Sequence, residues 1–256
     1  MKSVLISVQP KWCEKIIHII GQKGTKPIYE KSVEIRKTKP KIYTPFKCYI
    51  YCTNSKKEFL QSRNNVLFYC EDKDFIGGHG AGLYKRLNGK VIGEFVCDEI
   101  QEYESEFVDN DCLETIVSID RDEDGDATGF IEWSNDSDIS YINTDFFKKC
   151  CVKYNEIKKY MGMGFVTFYG WHISDLVIYD KPKELSEFSV LDDKAIKECE
   201  HRERIYVNPD SVNGAWLKGS YICTKGEEDW CSKCKTKPLK RPPQSWCYVK
   251  EGAEGK

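Results

Sequence analysis

Short β-branched and aromatic segments, most of them bounded by glycine or proline, are spread over the whole chain and constrain its fold more than any other feature. Segments of this length and composition are typical of β-strands. They lie at residues 3–8, 31–37, 46–53, 89–100, 171–180 and 245–249. Apolar residues recur at helical spacing in only two places, residues 11–20 and 145–161. The pattern predicts an α+β fold organised around a small mixed β-barrel with flanking helices.

Both predicted helices carry signals at their ends. Pro10 is favoured in the first turn of a helix, because its missing N–H has no hydrogen-bond partner to lose, and Gly21 supplies a stop. Thr144 can cap the second helix, and Gly162 ends it.

The composition excludes a disordered or collagen-like chain, since 40% of the 256 residues are hydrophobic. No run of eighteen apolar residues is present, and the amino terminus reaches Pro10 before a signal-peptide core of adequate length appears. We therefore expect a cytoplasmic protein without membrane contact. Thirteen cysteines are scattered through strand-like sequence, and without a secretion signal we expect most of them to be buried, reduced thiols.

Charge is distributed unevenly along the chain. Residues 1–57 carry thirteen Lys/Arg against three Glu, whereas residues 98–138 carry sixteen Asp/Glu and only Arg121. The acidic stretch has almost no apolar periodicity, so we interpret it as an exposed insertion that is dispensable for folding. Its alternating aspartates resemble a calcium-binding loop, but the twelfth position is Ile131 instead of a bidentate Glu, and a solvated loop is the better interpretation.

The most informative segment is K-S-V-E-I-R-K at residues 31–37. Alternate side chains share one face of a strand, so Ser32, Glu34 and Arg36 are expected to project together. A charged strand face beside the start of a Trp-bearing helix is how a recognition pocket would be built. The alternative is a solvated strand face with an exposed ion pair.

The opening QPKW followed by a helix, and then K-S-V-E-I-R, resembles the ASCH domain, a branch of the PUA-like superfamily whose signature is G-x-K-x-x-E-x-R. Lys31, Glu34 and Arg36 match the K-x-x-E-x-R portion. Gly21 does not lie two residues before Lys31, because GQKGTKPIYE is an insertion at that point. The segments GKVIGEFVCDEI, GWHISDLVIYDKPKELSEF and RPPQSWCYV also resemble ASCH proteins of phages and prophages of low-GC Gram-positive bacteria.

The resemblance implies a PUA-like barrel domain over residues 1–188, interrupted by the acidic insertion at about 98–138. A Cys-rich segment at 189–240 and a closing strand and tail at 241–256 would follow. It further implies a cleft lined by the motif strand and the start of the first helix, and binding of RNA or another nucleic acid in the cytoplasm of a bacterial host cell.

In such a cleft, lysine and arginine would contact phosphate and tryptophan would stack on a base. The expected nucleic-acid-binding residues are Lys11, Trp12, Lys31, Ser32, Glu34, Arg36, Lys37, Trp171 and His172, with Lys39, Lys41 and Lys47 as further phosphate contacts. The ligand would be RNA or a modified nucleotide.

A hydrolase or nuclease is an open alternative. One ASCH branch hydrolyses N4-acetylcytidine with a Lys on this strand, a Thr nucleophile three residues later and a Glu from another segment. Lys31 is present here, but Glu34 stands at the nucleophile position, and a carboxylate cannot perform the Lys-activated hydroxyl attack. Another hydrolysis that uses Glu34 with Lys31 remains open. A third alternative is a phage protein that binds a host protein through the acidic insertion.

A second group of residues has the composition of a metal site. A Cys-x-x-Cys turn lets two thiolates reach one tetrahedral ion, and a distant pair completes four ligands. The residues are Cys199, His201, Cys223, Cys231 and Cys234. We predict a structural zinc held by Cys231 and Cys234 with two of the other three, with free thiols as the alternative. No organic cofactor is indicated, because GGHGAG at 77–82 lacks the G-K-[ST] of a phosphate-binding loop.

Overall fold

Strands make up most of the part of the chain that the structure describes, and helices are few there. The computed structural model describes residues 2–18, 30–63, 66–71, 85–107, 116–119, 146–191, 199, 201–205, 220–223, 231 and 236–252. Within these ranges it is a mixed α+β structure, as the sequence predicted. None of the helices in these ranges has the length and apolar character needed to cross a membrane.

The strands and helices have the following bounds. The strands are β1 (Ser3–Val8), β2 (Val33–Arg36), β3 (Phe46–Cys52), β4 (Glu58–Arg63), β5 (Val66–Glu71), β6 (Lys85–Arg86), β7 (Val91–Cys97), β8 (Ile100–Phe107), β9 (Ile116–Ile119), β10 (Gly164–His172), β11 (Ser174–Lys183), β12 (Phe188–Leu191), β13 (Arg202–Ile205), β14 (Ser220–Cys223), β15 (Thr236–Pro238) and β16 (Trp246–Glu251). The helices are α1 (Pro10–Ile17) and α2 (Tyr154–Met161), residues 146–150 are also helical, and Leu185–Glu187 form a 3₁₀ turn.

A seven-stranded sheet in the order β11-β7-β3-β1-β16-β12-β15 forms the larger part of the fold. Its central strand β1 runs parallel to β3 and antiparallel to β16. Leu5 and Ile6 point to opposite faces and are both fully buried, because each face is covered by its own apolar cluster. Buried cysteines such as Cys13 and Cys48 contribute to this core as free thiols, as expected.

A four-stranded sheet in the order β2-β10-β8-β9 carries the motif strand at its edge. The apolar side chains of β2, Val33 and Ile35, pack with Ile157 of α2 and Phe168 of β10. Glu34 and Arg36 lie on the opposite face, as the alternation of the sequence requires. Two short further sheets, β5-β4-β6 and β13-β14, complete the described topology.

The predicted barrel is not found in the described residues, where no sheet closes on itself. The predicted strand 89–100 is in fact two, because β7 ends at Cys97 and β8 begins at Ile100 in the other sheet. The predicted strand 171–180 is likewise divided at Ile173, where the chain passes from β10 to β11. A connection of only one or two residues between different sheets leaves no turn signal in the sequence, which is why both breaks were missed.

The predicted helix 145–161 is interrupted. Residues 146–150 are helical, but Cys151 has a φ of 53°, in the left-handed region, and this ends the first segment. Helix α2 then starts at Tyr154, where the side chain of Glu156 accepts a hydrogen bond from the backbone N–H of Lys153 at 2.9 Å.

The acidic stretch is not an excursion over its whole length. Strand β8 pairs with β10 at eight successive positions, and β9 pairs with β8. Glu102 and Ser105 are buried within this sheet. Residues 120–145, with the aspartates of the predicted solvated loop, lie outside the described residues, as does the loop 77–82.

Replacing Gly93 by Ala is expected to loosen strand β11 from the large sheet. A Cβ at this position would lie 2.4 Å from the backbone oxygen of Val177, so one strand must move. We expect the free energy of unfolding to fall by about 1–3 kcal/mol, the usual cost of overpacking, when it is measured by urea denaturation. The control is Val177→Ala, which shortens an exposed side chain on β11. Equal stability of both variants would contradict this prediction.

Candidate functional site

A pocket of about 600 Å³ lies where the end of β1, the start of α1, β2 and α2 meet. This volume is in the range of sites that bind small molecules or single nucleotides. Lys11 and Trp12 line it from α1, and Lys31, Glu34 and Arg36 line it from the motif segment. The structure thus brings together five of the residues that the sequence singled out.

The motif residues form a buried ionic set. Lys31 Nζ lies 3.2 Å from Glu34 Oε2, and Arg36 Nη2 lies 2.8 Å from Glu34 Oε1. The side chains of Lys31, Glu34 and Arg36 are only 3%, 9% and 6% exposed. Because two cations face one carboxylate, the set carries a net positive charge in a region that is largely shielded from water.

Backbone oxygens from distant segments hold the two cations in place. Lys31 Nζ donates a hydrogen bond to the oxygen of Cys150 at 2.8 Å. Arg36 Nη1 donates to the oxygen of Ser7 at 3.1 Å and reaches that of Ser245 at 3.5 Å. The ionic set therefore connects β2 to β1, to the helical segment 146–150 and to the chain before β16.

Lys31, and not Ser32 as the sequence predicted, joins Glu34 and Arg36 in the pocket. Strand β2 begins at Val33, so the alternation rule for strands does not apply to residues 31 and 32. The backbone N–H of Ser32 bonds to the oxygen of Lys149, and its oxygen accepts from the N–H of Ile173. Ser32 does not line the pocket, whereas Lys31 reaches Glu34 from outside the strand.

Part of the hydrogen-bonding capacity of the ionic set is unused. Glu34 Oε2, Arg36 Nε and Arg36 Nη2 are buried and have no hydrogen-bond partner, although their ion-pair contacts are close. Buried polar atoms are normally paired, so such atoms beside a pocket are a site for a ligand. The two side chains, which both line the pocket, offer one acceptor and two donors for such a ligand.

The outer part of the pocket combines lysines and aromatic rings. Lys11 Nζ forms an ion pair with Glu156 of α2 and lies 4.6 Å from the centre of the Trp12 ring. Tyr160 is 43% exposed, and Lys37 Nζ lies 5.4 Å from its ring centre. Burial acts to raise the pKa of Glu156, but hydrogen bonds from the Lys11 side chain and the Lys153 backbone lower it below its ordinary value.

Other predicted residues lie elsewhere. Trp171 is fully buried against Phe46 and cannot stack on a base, so it is removed from the proposed site. His172 Nδ1 contacts Asp98 at 2.7 Å and does not line the pocket. Lys37 lies beside the pocket, where its Nζ donates to the oxygen of Met161 at 3.2 Å.

Two of the further basic residues are engaged in ion pairs away from the pocket. Lys39 Nζ lies 3.5 Å from Glu102, and Lys47 Nζ lies 2.7 Å from Glu94. Lys41 does not line the pocket either. The basic character of residues 1–57 is thus partly neutralised by acidic partners from β7 and β8.

The α2 wall of the pocket was missed by sequence reasoning. Glu156, Lys159 and Tyr160 all line the pocket, at the i, i+3, i+4 spacing that places helical side chains on one face. This spacing is the only signal in the sequence, and it does not reveal that α2 packs beside β2.

A second cluster contains three of the five predicted metal ligands. Cys199 Sγ lies 4.0 Å from both Cys231 Sγ and His201 Nδ1, and Cys231 Sγ lies 3.6 Å from His201 Nδ1. Ligand bonds of 2.0–2.3 Å in a tetrahedron give separations of about 3.5–3.8 Å, so the cluster can hold a metal ion. Cys223 ends strand β14, its side chain lies outside the described part, and so does Cys234.

Comparison with known proteins yields no match to any family model, curated protein or solved structure. The ASCH resemblance therefore stays a prediction from the motif residues. Function must be inferred from the pocket and the cluster themselves.

Replacing Glu34 by Gln is expected to destabilise the fold by about 3 kcal/mol, because it leaves two buried cations without a counter-charge. The control is Lys90→Gln, which breaks the more exposed ion pair with Glu184 and should cost less than about 1 kcal/mol. Urea denaturation measures both values. If Glu34→Gln is as stable as the wild-type chain, the ion pairs of Glu34 with Lys31 and Arg36 do not stabilise the fold.

Proposed function

We propose that the chain binds nucleic acid, with RNA or a strand carrying a modified nucleotide as the ligand, by taking one nucleotide into the pocket. The observation that supports this is the buried Lys31–Glu34–Arg36 set beside a pocket of nucleotide size. We also propose that β2 and its surroundings belong to a PUA-like ASCH domain of a phage or prophage protein. That assignment is supported only by the sequence resemblance of the motif and of three further segments.

The unused hydrogen-bonding atoms suit the edge of a base. A base edge places an N–H donor next to an oxygen or nitrogen acceptor. Glu34 Oε2 can accept from the donor, while Arg36 Nε and Nη2 can donate to the acceptor. A phosphate at this position would satisfy Arg36 but would face the carboxylate of Glu34, so a base edge fits better.

The aromatic residues of the pocket support the same ligand. Trp12 lines the pocket from α1 and Tyr160 lines it from α2. Stacking on aromatic rings is sequence-tolerant and is how proteins hold unpaired bases. A single-stranded segment or an everted nucleotide is therefore the form of nucleic acid that the pocket accommodates, because a base in a duplex cannot enter it.

Hydrolysis in the same pocket is the competing function, and the described geometry gives it less support. A hydrolase needs a hydroxyl group or a water molecule activated beside Lys31 and Glu34. Ser7 lines the pocket, but its Oγ donates to the oxygen of Pro243 at 2.7 Å. Lys31 Nζ is already directed to Cys150 and Glu34.

Arg36→Lys is expected to weaken binding of single-stranded oligonucleotides by about tenfold, because lysine keeps the charge but loses the planar set of donors. Fluorescence anisotropy with labelled RNA and DNA of mixed sequence measures the affinity. Arg86→Lys, on β6 and outside the pocket, is the control and should bind like the wild-type chain. Mass spectrometry of the recovered oligonucleotides reports any turnover.

The proposal is wrong if the wild-type chain binds neither RNA nor DNA. The binding site is misplaced if Arg36→Lys and Arg86→Lys bind oligonucleotides with equal affinity while circular dichroism shows that both variants are folded. Conversion of the oligonucleotide by the wild-type chain, lost in Arg36→Lys, would favour the hydrolase instead.

We propose that the metal of the second cluster is a structural zinc ion. Two thiolates and an imidazole are a donor set that zinc prefers, and a fourth ligand from Cys223 or Cys234 would complete a closed tetrahedral site. The cluster packs against Leu191 at the end of β12, and Leu191 pairs with Thr236 of β15. Zinc there would join two stretches of chain close to where they leave the large sheet.

The purified protein is expected to contain about one zinc per chain, as measured by elemental analysis without chelator treatment. Cys231→Ser should lose this zinc and unfold at a lower temperature. The control is Cys70→Ser, on β5 and outside the cluster, which should keep the metal. Absence of metal from the wild-type protein, or equal metal content in Cys231→Ser, would contradict the zinc site.

A further inference from the structure

We propose that the nucleotide enters the pocket base first and that Lys11 and Lys159 hold its phosphate at the mouth. The inference depends on the nucleic-acid binding proposed above and adds the orientation of the ligand and a phosphate subsite. Both lysines line the pocket, Lys11 from α1 and Lys159 from α2, and neither belongs to the K-x-x-E-x-R motif.

Exposure defines which end of the pocket faces the solvent. The side chains of Lys11 and Glu156 are 40% and 31% exposed, whereas those of the ionic set are below one tenth. The Lys11–Glu156 ion pair joins α1 to α2 and thus marks the mouth. Lys159 is exposed and lies on the same face of α2 as Glu156.

A phosphate is better accommodated at the mouth than beside the ionic set. At either place it meets a carboxylate, Glu34 inside or Glu156 outside, and Glu58 of β4 also lines the pocket. Glu34 is buried and held by Lys31 and Arg36, so it cannot turn away, and a buried like charge is costly. Glu156 is partly solvated, and breaking its ion pair with Lys11 costs little, because exposed ion pairs are weak.

Transfer of Lys11 from Glu156 to a phosphate also prepares the stacking surface. Lys11 Nζ now lies 4.6 Å from the centre of the Trp12 ring. When the ammonium group moves to the phosphate, this part of the ring becomes available to a base. Phosphate capture and base stacking are therefore coupled through one side chain.

The test is isothermal titration of the wild-type chain and three variants with nucleosides and with their 5′- and 3′-monophosphates. We expect the wild-type chain to bind one of the monophosphates about tenfold more tightly than the nucleoside, which is the gain in affinity that one charge-assisted hydrogen bond gives.

The variants test which side chains hold the phosphate. Lys159→Ala should reduce this affinity ratio. Lys158→Ala, which changes the neighbouring lysine outside the pocket lining, should keep it. Glu156→Gln should bind the monophosphate more tightly than the wild-type chain, because the competitor for Lys11 loses its charge. A purely structural role of Glu156 would not produce this gain.

Equal affinity for nucleoside and monophosphates would overturn the orientation while leaving nucleotide binding intact. An equal loss in Lys159→Ala and Lys158→Ala would overturn the subsite, since it would reflect only the total charge. If the wild-type chain binds neither these compounds nor single-stranded oligonucleotides, the nucleic-acid function and the orientation both fail.

Discussion

The carboxylate of Glu34 is the group on which the arrangement around the pocket depends. It is buried on the edge strand β2, and Lys31 and Arg36 approach it from either side, which offsets the cost of burying a carboxylate. Those two cations in turn are fixed by backbone oxygens from three other segments of the chain. One buried charge therefore links β2 to β1, to the helical segment 146–150 and to the approach to β16.

Features that depend on neighbouring residues could be predicted from the sequence. Strands β1 and β3 follow from short runs of apolar residues, the start of α1 follows from Pro10, and the two faces of β2 follow from local alternation. Features that depend on distant residues could not. The stretch after Ile100 becomes a strand because β10 pairs with it, although its many carboxylates indicate a solvated segment. The aromatic ring of Trp171 is of the kind that stacks on bases. Only the packing of β10 against the large sheet shows that this ring is buried.

The candidate site shows the same division. Lys11, Trp12, Lys31, Glu34 and Arg36 were identified from a short motif and from the start of a helix, and the structure gathers them in one pocket. The opposite wall comes from α2, more than one hundred residues later, and carries no motif. In the metal cluster, Cys199 and Cys231 are 32 residues apart in the sequence. Only the presence of several metal-ligating residue types in this segment indicated that the two side chains lie close together. Spacing could not select the ligands, because five residues of suitable chemistry compete for four positions.

The position of β1 in the large sheet has a consequence for synthesis on the ribosome. One side of β1 pairs with β3, which follows within fifty residues, but the other side pairs with β16 at residues 246–251. Until β16 has left the exit tunnel, the central strand of the sheet presents an open row of backbone donors and acceptors and a mostly apolar sequence. Contacts of such long sequence separation form slowly. The nascent chain therefore has a long period in which chaperones, or another strand, compete for the place that β16 finally takes.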